Sequence, residues 1–211
     1  MESESTETPF PKIDVQRLSG QETFQVAKLP LEANVQGFWQ WSCSDLLGNT
    51  LRGQLAEYMV GLVLGCVHGA RQEWDAFDLE WTPSGANAPI RIEIKSASYL
   101  QSWSQKELST ISFDIAPKKS WDAKTNTIQE EPTRAAHVYV FCLLHHQDKV
   151  TVNPLELTQW SFFVVPTHGF KAEWQHQKRI SLGPLERLHG PACAFIELPD
   201  RILAAASSLP S

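Results

Sequence analysis

The four cysteines, at positions 43, 66, 142 and 193, form no CxxC pair, and none has the histidine spacing of a zinc site. A structural zinc site is thereby excluded, and buried, reduced thiols in a cytosolic protein are expected. The opening MESESTETPFPK lacks both the basic start and the apolar run of a secretion signal. Long apolar runs are also missing: the most apolar helical stretch, around Leu55 to Val67, is interrupted by Glu57 and is too short to span a bilayer. No internal repeat, Ser-His-Asp order or phosphate-cradling glycine loop is present. These absences leave a soluble, cytoplasmic chain with no membrane partner.

With 42% apolar and 20% charged residues among 211, the chain can bury one sizeable core. Residues 1–30 read as a disordered or weakly ordered acidic N-terminal segment, and residues 31–211 as a single domain. The formal net charge of -6 argues against a nucleic-acid partner only until it is located. Six acids and three bases fall within residues 1–32, so half of the excess sits there and the body carries only -3.

Element order is legible from capping and periodicity. Residues 41–48 suggest a short helix stopped at Gly48, and Asn49 or Thr50 can cap a longer one reaching about Val67. A strand from about Trp74 to Trp81, a turn through Pro83–Asn87 and a strand at Ile90–Ser96 read as a hairpin. Thr110–Ile115 is a further strand. His137–Leu144 is nearly continuously apolar, as expected of a strand buried on both faces. Asn153-Pro154 starts a short helix, Trp160–Val165 is a strand, Gly183–His189 a helix, and Ala192–Leu198 a last strand. This mixture indicates an α/β or α+β domain.

The stretch IRIEIKSASY, from Ile90 to Tyr99, places three isoleucines on one side and Arg91, Glu93 and Lys95 on the other. A solvated edge strand would account for that charge. So would a site, because Asp78 on the preceding strand can lie across from Glu93, and two such carboxylates repel unless a cation stands between them. Glu57 adds a third acid on a helical stripe with Gly53, Gly61 and Gly65. Three glycines there suggest a close backbone approach, for packing or for chemistry. Hard oxygen ligands without His or Cys favour magnesium or manganese, and Lys95 beside such an ion could orient water or stabilise phosphoryl charge.

The order Glu57, Asp78, Glu93-Ile94-Lys95 resembles the PD-(D/E)xK nuclease superfamily, the restriction-endonuclease-like proteins. The likeness covers roughly residues 50–144, and Phe77 stands where the family name has proline. It implies a restriction-endonuclease-like mixed central sheet flanked by helices, with a nuclease core at about 50–144 and a C-terminal elaboration at 145–211. It also implies that Glu57, Asp78 and Glu93 bind Mg2+ or Mn2+, that Lys95 is the catalytic lysine, and that Gln101 matches a glutamine found near such sites. The expected activity is divalent-metal-dependent hydrolysis of DNA, by an endonuclease rather than an exonuclease, with a homodimer compatible with cutting both strands. An inactive nucleic-acid-binding or assembly module of the same fold, and a structure-specific or RNA-directed nuclease, are the alternatives. Asp75 rivals Asp78. Lys118, Lys119, Lys124, Lys171, Lys178 and Arg179 are candidates for a phosphate-binding rim, and Trp103 and Trp121 for base stacking.

Overall fold

The structure, a computed structural model, describes residues 10, 13–72, 76–119, 121–122, 127–128, 131–170, 174 and 177–208. Asp75, Lys124 and Lys171, and the side chain of Trp121, lie outside what is described.

Its centre is a four-stranded mixed sheet built from β3 (Leu79–Trp81), β4 (Ile90–Ser98), β8 (Val138–Leu144) and β9 (Trp160–Pro166), in that spatial order. β3 and β9 run antiparallel to their neighbours, whereas β4 and β8 are parallel, with Ile92 opposite Val138 and Ser98 opposite Leu144. All seven residues of β8 are buried, as its apolar run requires. β4 is flanked by β3 over Ile90–Ile92 and by β8 over Ile92–Ser98, so a solvated edge accounts for the exposed Arg91 and not for the buried Glu93.

Each sheet face carries its own core. Ile90, Ile92 and Ile94 of β4, with Val138, Val140 and Cys142 of β8, pack on α2 (Asn49–Leu64) and α4 (Leu198–Ser207). The opposite face joins Tyr139, Phe141 and Leu143 to β5 (Ser112–Asp114), β10 (Arg179–Ser181) and α3 (Leu182–His189). β5 and β10 pair antiparallel, and β6 (Trp121–Asp122) and β7 (Thr127–Ile128) form a separate ribbon. Among the described residues no helix is long and apolar enough to cross a membrane.

Several elements differ from the sequence expectation for local reasons. β1 (Thr23–Val26) and β2 (Leu29–Asn34) form a hairpin that begins inside the segment expected to be weakly ordered. Its two-residue turn puts Ala27 and Lys28 at φ 51° and 69°, the left-handed backbone conformation by which a tight turn matches the right-handed twist of its strands. The first helix, α1 (Val35–Ser42), precedes the expected 41–48 because Asn34 caps it, accepting from Gly37 N at 2.9 Å. α2 stops at Leu64 rather than Val67 because Gly65 adopts φ +66° and returns its N–H to the last turn. The strand expected at Ala192–Leu198 is not formed: Cys193 makes one isolated bridge to Phe162, and Pro199 opens α4 instead. Asn153 accepts from Leu155 N at 3.0 Å in a turn, so only a 3-10 turn at Leu157–Gln159 follows it.

The glycine stripe of α2 also divides by role. A Cβ on Gly61 would lie 2.7 Å from Val67 Cγ2 and 3.3 Å from Leu79 Cδ1, so this glycine lets β3 approach the helix beside Asp78. A Cβ on Gly53 would meet nothing within 4 Å. Opposite effects are expected in chemical denaturation: Gly61→Ala should lose about 1–3 kcal/mol through overpacking, and Gly53→Ala should gain up to about 1 kcal/mol from helix propensity. Equal shifts of the same sign would remove the close approach as the reason for Gly61.

Candidate active site

Glu93 projects from β4 onto the Tyr139–Phe141 face, paired in register with Tyr139, and its residue surface is only 4% exposed. A carboxylate cannot be buried there uncompensated. Both Lys95 Nζ and Lys118 Nζ donate to its Oε1, the latter at 2.9 Å. Lys95 sits two residues on along the same face, and Lys118 arrives from the loop after β5, where Lys118 and Thr133 form an isolated bridge. Lys118 had been placed in a surface rim. Its role could not be read locally, because the pair spans 25 positions. Burial alone would lower the Lys118 pKa, but the charge and hydrogen bond of Glu93 outweigh it and raise the value.

Asp78 lies immediately before β3, which puts it opposite Glu93, since Leu79 pairs with Ile92. Its backbone N–H donates to Ile92 O at 3.0 Å, and its Oδ2 accepts from Ile94 N at 2.6 Å. The side chain thus takes over the backbone pairing where the strand begins. Burial, then the charge of Glu93, pushes its carboxyl up to about 6 against the opposing pull of Lys95. Asp78 Oδ1 and Glu93 Oε2 have no hydrogen bond among the described residues, yet neither is sealed from solvent.

Glu57 is placed differently. It emerges from α2 into a cavity of about 410 Å3 whose wall also includes Asp78, Phe77 and Arg71. There both of its oxygens are held by Arg71, from Nε at 2.6 Å and Nη2 at 2.9 Å, a two-pronged pairing that fixes the carboxylate. Among the described residues no three of His, Cys, Asp and Glu stand close enough to hold an ion. The structure therefore brings Asp78, Glu93 and Lys95 together and leaves Glu57 at the rim of the group, clamped by an arginine that spacing alone did not single out. Gln101 is buried just beyond β4, bonding Ser109 Oγ through Nε2 at 3.3 Å; no bond to Lys95 or either carboxylate is formed.

Asp78 and Glu93 offer hard carboxylate oxygens, the chemistry that a magnesium ion keeping several waters uses; Glu57 could contribute only after Arg71 releases it.

A family model described as bacteriophage T4 endonuclease IV matches residues 38–179, more than half of the chain. The chain belongs to that family. No curated protein and no solved structure matches it. For this endonuclease IV family member the matched stretch contains α2, all four strands of the central sheet and every site residue named above, and it stops before α3 and α4.

The raised carboxyl of Asp78 has a definite sign in stability. Between the ordinary aspartate pKa near 4 and the folded value of about 6 the native state holds the extra proton, so stability falls as pH rises through that window and then levels. Asp78→Asn removes the titration while keeping an acceptor for Ile94 N. Denaturant midpoints measured from pH 4 to 8 should show wild type losing ground to the variant up to about pH 6. A constant difference across that range would mean that Asp78 is not buried against Glu93 in solution.

Proposed function

We propose that this endonuclease IV family protein is a divalent-metal-dependent deoxyribonuclease, with Asp78 and Glu93 as metal ligands and Lys95 as the catalytic lysine. The observation that carries the proposal is Glu93, a carboxylate almost wholly buried on an interior strand, opposite a second carboxylate and beside two ammonium groups. Structural ion pairs rarely need two like charges forced together; sites that handle phosphate and cations do.

In this scheme Glu93 and Asp78 would hold magnesium or manganese. The ion would lower the pKa of an attacking water and neutralise charge gathering on the phosphoryl oxygen. Asp78 must shed its proton first, so ligation strengthens as pH passes about 6. Lys95, held in place by Glu93, donates to the phosphoryl oxygen or orients the water. Lys118, with its side chain 57% exposed, could turn to an incoming phosphate where a bound ion takes over its charge on Glu93. Glu57 would serve as a third ligand if substrate drew Arg71 toward its own phosphates. The restriction-endonuclease-like description of the fold belongs to the same proposal: an acid on a helix, an Asp opening the edge strand and Glu-x-Lys on the strand beside it support it.

Closed circular DNA, duplex and single-stranded, tests the activity and its mode, because an exonuclease finds no end on a circle. Wild type should nick or linearise circles with magnesium or manganese and not with chelator. Glu93→Gln and Lys95→Ala should each lose at least about a hundredfold in rate, with Glu93→Gln also losing heat of metal binding. Cutting that survives chelation, or a Glu93→Gln variant as active as wild type, would reject the metal-site assignment. Metal-independent DNA binding that survives Lys95→Ala, with no cutting, would favour the inactive binding module.

A further inference from the structure

Lys95 also stands in the wall of a second cavity, of about 340 Å3, bounded by Arg52 of α2, Gln101, Ser109, Ser112 and Arg179 of β10. Two of these residues are buried and carry an unpartnered polar atom: Arg52, 4% exposed, through Nε, and Gln101, 7% exposed, through Oε1. The other guanidinium nitrogens of Arg52 reach only neutral oxygens, Leu47 O and Asn49 Oδ1, each at 2.8 Å. Among the described residues no carboxylate forms an ion pair with it. Burial works against this charge and lowers its pKa, yet a guanidinium does not give up its proton in a protein. A buried cation without a counter-charge is costly, and an anion within reach would remove that cost.

The hydroxyls of the wall are set as donors. Ser109 Oγ accepts from Gln101 Nε2 at 3.3 Å and from Gln105 Nε2 at 3.1 Å, and Ser112 Oγ accepts from Arg179 Nε at 3.0 Å. With lone pairs engaged by the framework, each hydroxyl keeps its own proton for another partner. Asp114 is the single acid in this wall among the described residues, against the three cations Arg52, Lys95 and Arg179, and its Oδ1 accepts from Ala116 N at 2.9 Å. Among the described residues no aromatic lines the cavity to stack a base.

We infer that this cavity binds a phosphodiester of the substrate strand adjoining the one that is cut. Arg179, the Ser112 hydroxyl and the Gln101 amide meet its oxygens, Lys95 lies between it and the scissile phosphate, and Arg52 supplies the fixed charge behind them. An anion there turns the Gln101 amide over, so that Nε2 donates to the ligand and Oε1 accepts from Ser109. The choice of a nucleic-acid phosphate rests on the nuclease proposal; the anion site itself rests on Arg52 and its neighbours.

The test uses the full chain in chelator, so that binding is read without cutting. Labelled DNA strands carry a neutral methylphosphonate in place of one phosphodiester at a time, each with a 5′-phosphate or a 5′-hydroxyl. Wild type should lose affinity several-fold at one internal position. Arg179→Ala should weaken all sequences alike, lower the slope of log affinity against log salt by about one, and no longer sense the substitution at that position. Because Arg52 holds the start of α2, the double variant Ser109→Ala, Ser112→Ala replaces an Arg52 variant as the second measurement and should blunt the same position. An unchanged salt slope and an unchanged methylphosphonate pattern in Arg179→Ala would overturn the inference, as would an Arg179 dependence confined to 5′-phosphorylated strands. Should wild type cut no circle while the Arg179-dependent position persists, the nuclease proposal falls and the phosphate cavity stands; cutting without any such position does the reverse.

Discussion

The burial of Glu93 is the constraint on which the rest of the site depends. A carboxylate at this depth must find cations, and the fold brings it two, one from its own strand and one from a loop 25 positions away. Across the hairpin the proton affinity of Asp78 is raised by its own burial and then by the charge of Glu93. Removing either lysine leaves charge poorly compensated inside the protein, which is why the group behaves as a unit and its members should not be assigned separate energies.

That burial is itself produced by β8. Because Val138–Leu144 is apolar on both faces, it must be covered twice, by α2 and α4 on one side and by β5, β10 and α3 on the other. β4, its parallel neighbour, is enclosed by the same two layers. Its isoleucines satisfy the helical layer, and its alternate residues are carried under the second layer, where Ala97 joins the core while Glu93 and Lys95 do not. Ordinary packing gives no reason to place charge on this face of the strand.

Much of this was legible because it is local. The two-residue period of β4, the apolar run of β8 and the order Asp78, Glu93, Lys95 need only strand geometry to be read, and the register sets Asp78 opposite Glu93 as the alternation suggests. The end of α2 was misplaced because the apolar Cys66-Val67 continues the helical pattern, while Gly65 at φ +66° decides the stop. The last strand was misjudged because Pro199, compatible with the first turn of a helix, outweighs the β-like run before it. Arg71 and Lys118 escaped notice for another reason: a pairing set by loop closure leaves no periodicity in the sequence, and each looks like any exposed cation until the chain is folded.

Charge location explains how an acidic chain can serve an anionic substrate. The acids of the site are internal and matched by lysines, so they do not present a negative face. Arg52 and Arg179 border the second cavity with a single opposing carboxylate, that of Asp114. Lys95 belongs to both groups, bound to Glu93 and also lining that cavity. A substrate strand crossing this lysine would meet paired carboxylates on one side and, on the other, Arg179 with the buried guanidinium of Arg52 behind it. Such a gradient favours placing the phosphate to be cut where a metal ion can balance it, and its neighbour where the protein already supplies the charge.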